Sequence, residues 1–206
     1  MISEKFILLG AVFNIIGSTG YVFDTLKGKT RPNRVTWFLW ALAPLIAFGA
    51  ELRHGVSILQ ALMTFMVGFG PLMIFLSSFV NNKSVWKATR FDFICGGLSL
   101  LGLALWWLTG SGWLAILFSI AADALAAVPT LVKSYSHPET ESWRVFMYGS
   151  ISAAITLLAI DTWDFAHAGF PLYILTICLV FVVLIRYKIG VRLRPVPIRQ
   201  EESSEA

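Results

Sequence analysis

The chain has 206 residues, of which 57% are hydrophobic and 14% charged, and it carries a formal net charge of +4. A soluble domain carries about 25% charged residues, so a water-covered globule of this length is excluded. The apolar runs are continuous rather than alternating, which excludes a membrane β-barrel as well.

Seven runs approach the ~20 apolar residues that a helix needs to cross a bilayer. The first is Phe6–Phe23, where Asn14 and Ser18 share a face at i, i+4 spacing. Met1–Phe6 lacks a basic cluster and no small-x-small cleavage pattern follows, so a true first helix is expected rather than a signal peptide. The second run, Val35–Ala50, places Trp37, Trp40 and Pro44 on one face. Trp37 lies near one end and reads as an interfacial anchor, as does Trp143, whereas Trp40 is deeper and reads as a binding residue. The third run, Val56–Val80, aligns Gln60 and Thr64, with Ser57, Gly68 and Pro71 continuing the stripe. The fourth, Phe93–Leu108, is short unless it takes in Asp92.

The fifth run, Trp113–Val132, holds Asp123, the only charge deep inside any run, with Ser119 one turn away and Pro129 near the end. A carboxylate at that depth is costly, so it is expected to face the bundle interior and to have a partner, with Asn14 and Ser18 as candidates. The sixth run, Val145–Ile160, repeats Tyr148, Ser152 and Thr156 every four residues, and the seventh is Ala168–Ile185. Ser and Thr on these faces also serve as ordinary helix-packing glue. Pro44, Pro71 and Pro129 read equally as hinges or as static kinks. Cys95 and Cys178 lie inside runs and read as small apolar residues, without a disulfide.

Orientation follows from the basic residues, because Lys and Arg accumulate in cytosolic loops. Of the 16, 14 fall on one side of the seven runs, and only Lys5 and Arg53 fall on the other. That split predicts an outside N-terminus and a cytosolic C-terminus, and it accounts for the net charge without a nucleic-acid partner. Asp24 and Asp92 then read as interfacial charges paired with Lys27 and Arg90.

Two loops on the basic side share a pattern. Lys27, Pro32, Thr36 and Trp37 match Lys133, Pro138, Ser142 and Trp143, every pair 106 residues apart, and Val22 matches Val128 in the same register. The same offset carries the first three runs onto the last three. The organisation expected is an all-α polytopic membrane protein of seven helices in a 3+1+3 arrangement. Its parts are a first triple-helix repeat at 1–86, a linker helix at 87–110, a second, parallel repeat at 111–187 and a disordered cytosolic tail at 188–206.

Here the chain resembles the MtN3/SWEET/PQ-loop superfamily of small-solute transporters. The resemblance is carried by the architecture over residues 6–186 and by Val128-Pro129-Thr130-Leu131-Val132-Lys133-Ser134-Tyr135 through Ser142. That family places Pro at the end of the first helix of each triplet, followed by a basic residue and a Ser. Thr130 stands where the name-giving motif has Gln, and the first repeat has Phe23-Asp24 at the matching pair. The resemblance implies alternating access, with the two triplets rocking around a central site. A sugar, an amino-acid-like solute or a cationic solute would bind there, and Asp123 is available for proton coupling or as the ligand of such a cation. Asn14, Ser18, Trp40, Gln60, Thr64, Asp123, Tyr148 and Ser152 are the expected binding residues. A ligand-binding receptor or sorting protein on the same scaffold is the alternative. The partners expected are a small polar solute, the bilayer and a coupling proton, and a homo-oligomer is compatible with them. No cofactor is called for. No P-loop, nucleophile-elbow or zincin motif occurs, and His54, His137 and His167 lack metal-site spacing, so no enzyme is expected.

Overall fold

The computed structural model describes residues 5–53, 58–109, 112–161 and 163–193. Among these residues the chain is all helical. Its helices are α1 (Lys5–Leu26), α2 (Arg34–Arg53), α3 (Ile58–Ser77), α4 (Arg90–Leu108), α5 (Gly112–Ser136), α6 (Trp143–Ala159), α7 (Phe165–Arg186) and α8 (Ile189–Arg192). The first seven coincide with the seven apolar runs. Three stretches, Arg90–Leu108, Trp113–Ser136 and His167–Arg186, are long and apolar enough to cross a membrane; shorter apolar helices occupy Arg34–Ala50, Thr64–Ser77 and Trp143–Ala159.

The helix ends follow local chemistry. After α1 the chain turns through Gly28 at φ 76°, which glycine adopts without Cβ strain. Its N–H bonds Thr25 O at 2.9 Å, and Lys29 N–H bonds Asp24 O at 2.8 Å, the double closure of a glycine-terminated helix. Asn33 caps α2 by accepting from the N–H groups of Val35 (3.0 Å) and Thr36 (3.4 Å). α4 begins in a capping box between Thr89 and Asp92. α3 ends at Ser77, three residues short of the apolar run, where the hydroxyls of Ser77 and Ser78 bond the carbonyls of Ile74 and Phe75.

Within the first half of the chain, α3 packs against both α1 and α2; within the second half, α7 packs against both α5 and α6. α1 lies along α6, α2 also touches α5, and α4 packs chiefly on α5 with a smaller contact to α2. The core is an aromatic cluster of Tyr21, Trp37, Phe146 and Phe181 with Ile74, Val182 and Ile185. Leu, Ile, Val and Phe side chains stand outward instead of polar ones, for example Leu8, Val12, Ile16, Phe93, Ile94, Leu101, Leu172 and Val183. Water does not favour such a surface; hydrocarbon does.

Several expectations are corrected at this level. Trp37 is not an interfacial anchor: it is 3% exposed, with its ring against those of Tyr21 from α1 at 5.0 Å and Phe146 from α6 at 6.2 Å. Asp92 is not paired with Arg90 at an interface. It is 4% exposed, accepting from Thr89 N–H and from Asn33 Nδ2, each at 2.5 Å. Asp24 pairs with Lys29 at 3.9 Å rather than with Lys27. Of the expected tail, the described part forms α8, whose Gly190 lies against the backbone of Tyr135. Residues 194–206 are outside the described residues.

Candidate functional site

A cavity of about 500 Å³ lies at the centre of the bundle, and α1 through α7 all contribute to its wall. Of the expected binding residues, Asn14, Ser18, Trp40, Thr64, Asp123 and Ser152 line it, together with Pro44 and Pro71. Trp37 lines it too. Tyr148 does not: its ring stacks on Phe13 at 6.0 Å in the contact between α1 and α6, where Gly17 provides the space. Pro129 is buried outside the lining. The side chain of Gln60, like Ser57, lies outside the described residues. Gly68 belongs to helix packing, since a Cβ there would meet Ala41 O at 3.1 Å and Pro44 at 3.2 Å.

Asp123 is eleven residues into α5, about 16 Å along a helix rising 1.5 Å per residue, which is half of a ~30 Å hydrocarbon layer. Its partner is neither Asn14 nor Ser18 but Tyr173 of α7, whose hydroxyl donates to Oδ2 at 2.7 Å. The indole N–H of Trp40 faces the same carboxylate without a hydrogen bond of normal length. Tyr173 was missed because a lone Tyr in an apolar run carries no polar periodicity. Among the described residues Asp123 is the only acidic side chain in the wall, and no Lys, Arg or His lines it.

Several hydroxyls in the wall are already committed. Ser99 donates to Ala122 O at 2.7 Å, Ser119 to Ala115 O at 2.8 Å and Thr156 to Ser152 O at 3.1 Å. The first joins α4 to α5, and the other two bond back within their own helices. Trp40, Phe146 and Phe181 form the floor, with Phe146 and Phe181 stacked at 4.2 Å and Trp40 edge-on to Phe181 at 6.0 Å.

Along the helix axes the cavity's lining reaches Trp106, Ile116 and Thr156, about one turn from the helix ends at Leu108, Gly112 and Ala159, and at the opposite ends Trp37 and Val145, within a turn of Arg34 and Trp143. Toward those opposite ends it stops at the aromatic floor, and below that lies a buried polar network. Lys133, 1% exposed, donates to Glu141 Oε1 at 2.6 Å and to the carbonyl of Arg31, with its ammonium 4.8 Å from the Trp86 ring centre. Tyr21 donates to the other Glu141 oxygen at 2.6 Å. Arg31 N–H bonds Thr140 O at 2.9 Å, and Thr36 donates to Ala126 O at 2.7 Å while accepting from Thr130 at 2.9 Å. These bonds clamp the loop after α1 to the loop after α5. Sequence reading took Lys133 only as a topological charge; the signal it left was Glu141, eight residues on across a short loop.

Among the described residues, fold and site together define an all-helical bundle, apolar outside, around a central cavity with one acid, Asp123, in its wall. Comparison of the chain with family models, with curated proteins and with solved structures returned no match.

Proposed function

We propose that the chain is a membrane transporter that moves a small solute by alternating access, with Asp123 as the site of proton coupling. The observation that carries the reading is the central cavity: all seven long helices supply its wall, and it holds a lone carboxylate near mid-helix. An acid at that depth is rarely retained without a function.

On this reading the chain spans the bilayer seven times, N-terminus outside and C-terminus cytosolic. Helices 1–3 and 5–7 are then parallel repeats joined by α4, as in the MtN3/SWEET/PQ-loop superfamily. The packing order supports the repeat, since the third helix of each half lies between the other two and α1 against α6 mirrors α5 against α2. Displacing α2 by 106 residues gives 140–159, against the observed Trp143–Ala159; displacing α3 gives 164–183, against Phe165–Arg186. The matched loop prolines, Pro32 and Pro138, are both fully buried. The Lys133–Glu141 clamp then lies on the cytosolic side. Transport then requires the clamp to part.

The same clamp favours a second reading, a receptor that binds without transporting, because a buried ion pair is costly to separate. Reconstituted wild type and Asp123→Asn in liposomes, with and without a pH gradient, distinguish these. Gradient-driven uptake that Asp123→Asn uncouples supports the transporter. Binding without flux in either protein sinks it in favour of the receptor.

A further inference from the structure

The chemistry of the wall narrows the ligand. The cavity holds one acid, and among the described residues no basic side chain faces it. A zwitterion would bring its carboxylate to a wall with no cation to meet it. A sugar needs many donors and acceptors in alternation, yet the hydroxyls of Ser99, Ser119 and Thr156 have spent their hydrogens on backbone carbonyls. The wall's free donors are few, the indole N–H groups of Trp37 and Trp40 and the amide of Asn14, beside one ionisable acceptor and many ring faces. Asp123 keeps Oδ1 after Tyr173 takes Oδ2, and the rings of Trp40, Phe146, Phe181, Trp106 and Phe170 stand around the same space.

From this we infer that the cavity binds a small organic cation, a protonated or quaternary amine on an apolar body, with the nitrogen at Asp123 and the body against the aromatic rings. Ring faces attract such a cation, most strongly where water is excluded, and a single carboxylate matches a single positive charge. The inference rests on the cavity being the solute site of the proposed transporter, and among the solutes expected there it selects the cationic one and gives it an apolar body held by the rings.

The test uses the full chain in lipid nanodiscs and isothermal titration with phenethylamine, its neutral counterpart 2-phenylethanol, phenylalanine and glucose. Phenethylamine is expected to bind about tenfold or more tighter than 2-phenylethanol, a difference of about 1.4 kcal/mol, and tighter than phenylalanine or glucose. Asp123→Asn should erase that preference while leaving 2-phenylethanol within about twofold. Asp123→Glu, which keeps the charge, should retain the preference, and it serves as the informative variant if the Asn protein fails to fold. Equal binding of amine and alcohol, tighter binding of phenylalanine or glucose, no amine binding at all, or a preference that survives Asp123→Asn would each overturn the inference. Flux of the same four compounds into proteoliposomes separates this outcome from the transport reading. Amine binding without uptake leaves the ligand class standing and removes the transporter. Glucose uptake without amine binding does the reverse.

Discussion

The hydroxyl of Tyr173 donates to Oδ2 of Asp123 at 2.7 Å, and this bond ties α7 to α5 at mid-bundle across fifty residues of sequence. It gives a half-buried acid a donor and orients one carboxylate oxygen, while the residue lines the cavity. Any solute or proton that reaches Asp123 therefore meets a group already positioned by the neighbouring helix.

Tyr173→Phe keeps the ring and removes the donor. Side-chain hydrogen bonds between membrane helices are worth about 1 kcal/mol, so the variant should remain folded with a small drop in thermal stability in detergent. Its effect on function should be larger, because the carboxylate loses its orientation. Uptake or binding that falls several-fold at nearly unchanged melting temperature is the expected result. An unchanged affinity would reduce the bond to helix packing.

Gly102 and Gly97 lie on the same helix and predict opposite outcomes. A Cβ at Gly102 would come 3.0 Å from the Ala122 Cβ and 3.2 Å from its Cα, while nothing stands within 4 Å of one at Gly97. Gly102→Val must push α4 away from α5 at the residue beside Asp123. Overpacking of this kind costs about 1–3 kcal/mol, and ligand binding should weaken with it. Gly97→Val should be near neutral. Thermal unfolding of both in one detergent decides the matter, and equal losses would contradict the tight approach of α4 to Ala122.

The helices were legible because each is a long apolar run, and Asp123 because it is the one charge deep inside any of them. Their partners were not, because they are set by packing between distant segments. Asn14 and Ser18 reach the cavity by a spacing visible in sequence. Tyr173 reaches Asp123 only because α7 lies beside α5. Trp37 sits among basic residues in sequence and so reads as an anchor, yet it is buried in the aromatic cluster with Tyr21 and Phe146. Tyr148 falls on a polar stripe with Ser152 and Thr156, but its bulk is taken up by Gly17 and Phe13. Lys27 and Lys133 stand at matched positions of the two loops in sequence, yet Lys27 is exposed and Lys133 is buried against Glu141.

That buried pair carries its own prediction. Lys133→Met leaves Glu141 with only Tyr21, and Glu141→Met leaves an uncompensated ammonium. Removing one member of a buried pair costs about 3–5 kcal/mol, whereas replacing both with apolar groups of similar volume is often neutral. Lys133→Met and Glu141→Met should each lower stability sharply, and the double replacement should recover most of the loss. Additive losses in the cycle would mean that the two residues do not act as a pair.

The double replacement also tests whether the clamp holds one conformation. Cys178 lines the cavity, so in a Cys95→Ala background it is the single thiol and reports access to the site. With the clamp intact, a membrane-impermeant cationic methanethiosulfonate should modify Cys178 from the side carrying Leu108 and Gly112, and far more slowly from the side carrying Lys133. Replacing Lys133 and Glu141 together removes the ion pair and the bond from Tyr21 without leaving a lone charge behind. The conformation open to the Lys133 side should then gain population, and modification from that side should rise by an order of magnitude or more. This corresponds to a shift of about 1.4 kcal/mol between the two states. If modification stays one-sided while the double variant is folded, the aromatic floor of Trp40, Phe146 and Phe181 closes the site by itself, and the polar network only stabilises what that floor already seals.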